Sequence, residues 1–342
     1  METALYFPHI RVPRTPWFSQ VLLYWDAAAA IIPSGLERDE AYLGSYMSEL
    51  IRAGLVTVIR PDEALMRASD GFEREFLTLL GSRPAMPATE SERWTPVHCD
   101  KLGWSIFQHL ADRGLARPAD GPGWSSWWEV EKQTAELYLT YLAGAICGSR
   151  QGFSPVADST DPVAALARPG AEVTARLRAL RYAVVSRALP VPAGPVPVAE
   201  LKSFKDRHHD GLRRLRVHLD GRLTDLAAID DEDLRRVKAD SVVQEISDEV
   251  AVLREQMARR AWPGVLLVGV GGVVGSALAT ATGVATGGNA LILGLAVGGG
   301  VASLGSASHR AFELARAPRV DRRAPLVYAA LVQRAFADAH GV

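Results

Sequence analysis

A chain in which 23% of residues are charged runs for 48 consecutive positions, Ala261 to Ser308, without Asp, Glu, Lys or Arg. A helix that is apolar all round belongs either inside a protein core or inside a bilayer, so this stretch restricts the fold more than any other feature. It also holds 13 of the 30 glycines. Pro263–Gly283 and Asn289–Ala307 are two apolar pieces, and Thr286–Gly287–Gly288–Asn289 is a turn sequence near their junction. Each piece is about 20 residues, which as helix covers roughly 30 Å, the thickness of a bilayer core. Gly271, Gly275, Ala279, Gly283 and Gly287 recur at every fourth position, as do Ala290, Gly294, Gly298, Ala302 and Ser306. That spacing puts small residues on one helix stripe, where two backbones approach closely, as membrane helices do when they associate. Arg259 and Arg260 precede the run and Arg310 follows it, so both ends read as cytoplasmic flanks, with Trp262 placed at the interface. The pattern predicts a glycine-zipper hairpin over 263–307 that meets membrane lipid or a second copy of itself. Gly, Ala, Ser and Thr add little to insertion, however, and a soluble protein can bury the same hairpin as core; that is the alternative expectation.

The rest of the 342-residue chain is of ordinary globular composition. Thirty-eight basic residues against 39 acidic ones leave a net charge of -1, which argues against nucleic acid as a partner. Two cysteines, Cys99 and Cys147, cannot build a disulfide framework and suit a reducing cytoplasm. Met1 to Pro16 contain no run like the apolar core of a secretion signal. The expected location is the cytoplasm, with the hairpin at the inner face of the cell membrane.

Alternating strand and helix patterns in the first sixty residues predict an α/β region over 1–190 with parallel pairing. Strands are expected at Ala4–Ile10, Ala29–Ile32 and Leu55–Ile59, with a helix opened by Thr15 as cap and Pro16 in its first turn. Glu37–Ala53, Pro61–Leu80, Asp100–Arg113 and Glu131–Cys147 read as helices, and Ser125–Val130 as a short aromatic strand or bend. Gly81–Pro96 and Gly148–Gly170 read as loops, and Tyr182–Leu189 as a strand. The Pro-rich stretch 191–197 reads as a linker to a helical region, 198–342. There, Leu201, Phe204, His208, Leu212, Leu215, Leu219, Leu223 and Leu226 form the seam of one long, nearly straight helix. A second helix, capped at Asp230, carries Leu234, Val237, Val242, Ile246, Val250, Leu253 and Met257.

Candidate chemistry is sparse. No glycine-rich turn follows the first strand, which removes the dinucleotide fingerprint and the P-loop. His208 and Asp210 offer a base beside a carboxylate, but His208 falls on the seam while His209 points about 100° away. His98 and Cys99 resemble a nucleophile pair in print; in an extended chain their side chains diverge. Gly121–Trp124 with Trp127 and Trp128 reads either as packed core or as the wall of a ligand cleft. Arg213, Arg214 and Arg216 read as a solvated face. No metal site and no cofactor are expected. The chain therefore reads as a non-enzymatic, membrane-associating or membrane-perturbing protein, with a stress or phage-defence effector whose N-terminal half binds an unknown protein partner as the role considered. The alternatives are a soluble intracellular binding or scaffold protein with the hairpin as core, and an enzyme with its cleft at the Trp-rich segment.

Ala4–Leu5–Tyr6–Phe7–Pro8, Leu23–Tyr24–Trp25–Asp26 and Ile31–Ile32–Pro33 resemble the opening of a family of bacterial proteins described only as a domain of unknown function. Trp128–Glu129–Val130, Tyr138–Leu139, Leu142–Ala143, Pro155–Val156–Ala157–Asp158, and Phe204–Lys205 with His208 and Leu212 continue the likeness over roughly residues 4 to 220. The resemblance implies a bacterial cytoplasmic protein and assigns no reaction, cofactor or catalytic residue.

Overall fold

A computed structural model of the chain describes residues 2–61, 71–81, 93–119, 126–158, 172–259 and 324–337. The charge-free stretch, with Gly271, Gly275, Ala279, Gly283, Gly287, Gly294, Gly298 and Ala302, lies outside the described residues, as do Arg260, Trp262, Trp124 and Arg310. The chain divides into two units, 1–252 with 323–342, and 253–322. The structure described below is that of the first.

An all-parallel sheet of four strands, in the order β3-β2-β1-β7, is the centre of this unit. Its members are β1 (Thr3–Tyr6), β2 (Ala27–Ile31), β3 (Val56–Ile59) and β7 (Phe153–Val156). Thr3 pairs with Ala27 on one side and Phe153 on the other, so β1 is internal. Ala27–Ala30 and Ile31 are at most 1% exposed, as a strand covered on both faces must be. The chain leaves β1 toward β2 and β3 and returns on the far side as β7, so its connections diverge at β1.

The helices follow from their ends. Thr15 caps α1 (Pro16–Tyr24): its hydroxyl accepts from the Phe18 N–H at 3.2 Å. Asp39 does the same for α2 (Glu40–Arg52) through the Tyr42 N–H at 3.0 Å, and α2 packs on β3. After α3 (Phe72–Gly81), a second sheet forms from β4 (Trp94–His98), β5 (Ala116–Pro118) and β6 (Trp127–Glu131), with β6 antiparallel to both neighbours. β4 falls partly on the expected loop over Gly81–Pro96. It is an edge strand, where Pro96 costs no central ladder hydrogen bond.

One expected helix is two. α4 (Cys99–Leu102) and α5 (Trp104–Ala111) meet at Gly103, whose φ of 73° lies in the region that disfavours side chains. α6 (Lys132–Ser149) packs on β7, α3 and the second sheet. β7 itself lies inside the stretch Gly148–Gly170 that reads as loop. The expected strand over Tyr182–Leu189 is instead the end of α7 (Val173–Ala188), whose buried face carries Arg181, Tyr182, Val184, Val185 and Ala188.

α8 (Val198–Ala227) is the long helix of the seam, and it packs on α7 and α1. Every seam residue except His208 is buried; at His208, φ −114° and ψ 19° put a kink in the expected straight rod. α9 (Glu232–Arg259) starts with Asp231, whose carboxylate accepts from the Leu234 N–H at 2.9 Å, one residue later than the expected cap. Its inner face uses Val243, Ile246 and Val250, while Leu234 and Val237 are exposed. Finally α10 (Val327–Val332), continued by a π-type turn over Gln333–Ala337, lies against α8. The Tyr328 hydroxyl donates to the Leu23 carbonyl at 2.6 Å, and its ring lies between Tyr24 and Phe204.

Candidate functional site

The segments Leu23–Asp26 and Phe204–Lys205 meet in space and build the joint between α1 and α8. Lys205 is 8% exposed, and its ammonium donates to the carbonyls of Leu22, Trp25 and Asp26 at 2.6, 2.7 and 2.8 Å. Those carbonyls end α1, where a helix lacks internal partners and favours a cation. Arg216 grips the Asp26 carboxylate with both terminal nitrogens, at 2.5 and 2.6 Å. Burial alone would raise the Asp26 pKa, but Arg216 and the Glu2 N–H hold it at about 2. Arg216 is thus an ion-pair residue where the sequence pattern suggested an open basic face. The ammonium is met by three carbonyls and the carboxylate by a guanidinium, which is the signature of a structural network.

The other concentration of polar groups lies beyond the carboxyl end of β1. A cavity of about 350 Å³ opens between the residues leaving β1, the first turn of α2 and the second sheet. Ligands of open α/β sheets sit at this edge, where strand connections diverge. His9, Arg11, Tyr42, His98, Lys101 and Trp127 line it. The Arg11 guanidinium lies over the Tyr42 ring at 5.1 Å, and Trp127 meets His98 edge-on with centroids 5.2 Å apart. Trp128, its neighbour on β6, faces the opposite way and stacks on Phe107 at 4.0 Å. Of the expected aromatic cluster, Trp127 therefore belongs to a cavity and Trp128 to the core.

His98 and Cys99 do not alternate as in a strand, because β4 ends at His98 and α4 begins at Cys99. Instead His98 caps α4: its Nδ1 accepts from the Asp100 N–H at 3.2 Å. The Cys99 sulfur is 3.9 Å from that same nitrogen and donates to the Asp100 carboxylate at 3.6 Å. Asp100 also accepts from the Ser34 N–H at 3.2 Å. Donor atoms of His98, Cys99 and Asp100 lie within 4.8 Å of one another, close enough in principle for one ion. Each is already engaged in a hydrogen bond, and a fourth ligand is absent among the described residues. Burial and Asp100 push the thiol pKa up, and burial pushes that of His98 down. The pair is neutral, unlike an activated thiolate beside an imidazolium.

Lys101 is what sequence reading missed. It is 3% exposed, and burial brings its amine down to about 7. Tyr138, fully buried on α6, fixes the Lys101 backbone by donating to its carbonyl at 2.7 Å. Gly103 then turns the chain away, leaving the lysine at the end of a four-residue helix that no periodicity marks. By contrast, His208 is half-buried against Phe204 at 4.6 Å, while His209 and Asp210 are exposed and 3.7 Å apart. His208 and Asp210 share no cavity with His98.

Comparison with protein-family models, with curated proteins and with solved structures finds no match. The sequence pattern and the geometry are therefore the grounds for assigning a role. No helix among the described residues is long and apolar enough to cross a membrane.

Proposed function

We propose that the chain is a non-enzymatic bacterial protein that associates with membranes through residues 263–307, its α/β body serving as the part that binds and senses. The observation that carries this reading is the 48-residue charge-free stretch with small residues at every fourth position and arginines on both flanks. Self-association of the same stripe is part of the proposal, as is a place at the cytoplasmic face of the membrane. The body adds a preformed cavity at the edge where α/β sheets hold ligands.

Liposome flotation of the full-length protein, beside a variant lacking residues 263–307, tests it. Flotation that survives a carbonate wash and disappears with the deletion is the expected result. Full-length protein that stays at the bottom, with a deletion variant that does not fold, assigns the hairpin to the core of a soluble binding protein and ends the membrane reading.

A second reading, an enzyme with its cleft at the Trp-rich segment, draws support from the meeting of His98 and Trp127 on one cavity. It predicts turnover of an activated aryl ester by the full-length protein that is lost in His98→Asn. Equal rates in the two proteins remove it.

A further inference from the structure

Two lysines are buried in this unit, and they stand in opposite situations. Lys205 has three carbonyl oxygens within 2.8 Å. Lys101 is the more deeply buried, burial lowers its pKa, and no ion pair or hydrogen bond to its ammonium is found among the described residues. An ammonium drawn this far from water without a protein acceptor is disfavoured unless the space it faces supplies one. It lines the cavity beyond β1.

We infer that this cavity binds a small aromatic anion, an aryl carboxylate or aryl phosphate, with its charged group on Lys101 and its ring against Tyr42 and Trp127. The lining supplies basic side chains from four residues, His9, Arg11, His98 and Lys101, and no Asp or Glu. Asp100, the carboxylate next in sequence, is turned to the Ser34 N–H and the Cys99 thiol. The walls are flat: Tyr42 and Trp127 lie with centroids 6.1 Å apart and planes inclined by 33°, too close to admit a ring between them but presenting a continuous surface to one beside them. A volume of about 350 Å³ is near the lower limit for ligand pockets and suits one ring with one charged group, not a dinucleotide. An anion beside Lys101 would favour the charged amine that burial disfavours, so binding and protonation support each other. None of this depends on whether residues 263–307 enter lipid.

The test is calorimetric titration of the full-length protein at pH 7 with benzoate, phenyl phosphate, inorganic phosphate and phenol. The expected result is saturable one-to-one binding of benzoate or phenyl phosphate, whichever charged group the site prefers. Inorganic phosphate and phenol are expected to bind at least about tenfold more weakly, and Lys101→Met to weaken the aryl anion by about tenfold or more. Lys202→Met, at an exposed lysine paired with Asp206, leaves binding unchanged. Trp127→Leu provides the second variant if Lys101→Met does not fold, and it is expected to erase the preference for phenyl phosphate over inorganic phosphate. No saturable binding of either aryl anion up to about 10 mM would overturn the assignment. So would phenol or inorganic phosphate binding as tightly, or full binding retained in Lys101→Met.

Discussion

Replacing Lys101 by Met keeps the side-chain volume nearly constant and removes an ammonium that has no ion pair or hydrogen bond among the described residues. The gain in stability is set by how far folding lowers the lysine pKa, from 10.5 to about 7. That difference of about 3.5 units corresponds to about 5 kcal/mol, at 1.36 kcal/mol per unit. Below pH 7 the lysine is charged in both states, and the native state carries the whole penalty. Between pH 7 and 10.5 the unfolded chain still holds a proton that the native state has lost, so stability rises with pH at about 1.4 kcal/mol per unit. Urea unfolding followed by circular dichroism, at pH 6 and again at pH 9.5, reads both ends of this window. Lys101→Met is expected to be more stable than the parent by up to about 5 kcal/mol at pH 6 and by only about 1 kcal/mol at pH 9.5. Burial and the Lys101 charge both lower the His98 pKa, so part of the difference near pH 6 belongs to His98, whereas Asp100, committed to other donors, is common to both proteins. A variant no more stable than the parent at pH 6, or one with the same gain at both pH values, would show that the ammonium is not buried without a partner.

Lys205→Met differs because three carbonyls at the end of α1 lose their donor; burial lowers the Lys205 amine to about 7 as well, so relief of that penalty offsets part of the loss, and thermal melts should show a gain well below that of Lys101→Met or a net loss of about 1–2 kcal/mol. Arg216→Met should leave the Asp26 carboxylate without its main partner and cost about 3 kcal/mol at neutral pH by urea titration. In the parent, the stability due to Asp26 is present above its ordinary pKa of 3.8 and lost as pH falls toward 2, so an acid titration of Arg216→Met should lack that limb. Tyr328→Phe removes the hydrogen bond to Leu23 and should cost about 1 kcal/mol in melting experiments. Gly211→Leu forces a side chain where even a Cβ would stand 3.3 Å from the Tyr328 ring, and should destabilise by about 1–3 kcal/mol.

How much of this was legible depended on the length of each signal. The seam of α8 repeats over 26 residues from Leu201 to Leu226 and read correctly but for the kink at His208. Thr15 and Pro16 marked the start of α1 because a cap and a proline are both positional. β7 was invisible: Phe153–Ser154–Pro155–Val156 is four residues with a proline, and its burial comes from β1 beside it. Val184–Val185 invited a strand because β-branched residues favour one, yet packing of α7 against α8 overrode the local preference. The site split in the same way. His98 and Trp127 were named from the sequence, but their meeting required two strands of a sheet that antiparallel register alone brings together, with His98 opposite Trp127. Lys205 left a faint trace, four residues from Leu201 and seven from Leu212 on the buried face of α8. Lys101 left none, because one glycine ends its helix before a period can appear.

The return of the chain after residue 323 has a topological consequence. The sheet and its helices hold residues up to Val252, and the same unit takes the chain back, where Tyr328 bonds to α1. Whatever lies between is a loop closed at both ends on one folded body. Such a loop can traverse a bilayer an even number of times or not at all, and it can never thread a single span without pulling Tyr328 off Leu23. Both closing points belong to the body, so the two ends of the intervening segment stay on one side of any membrane it meets.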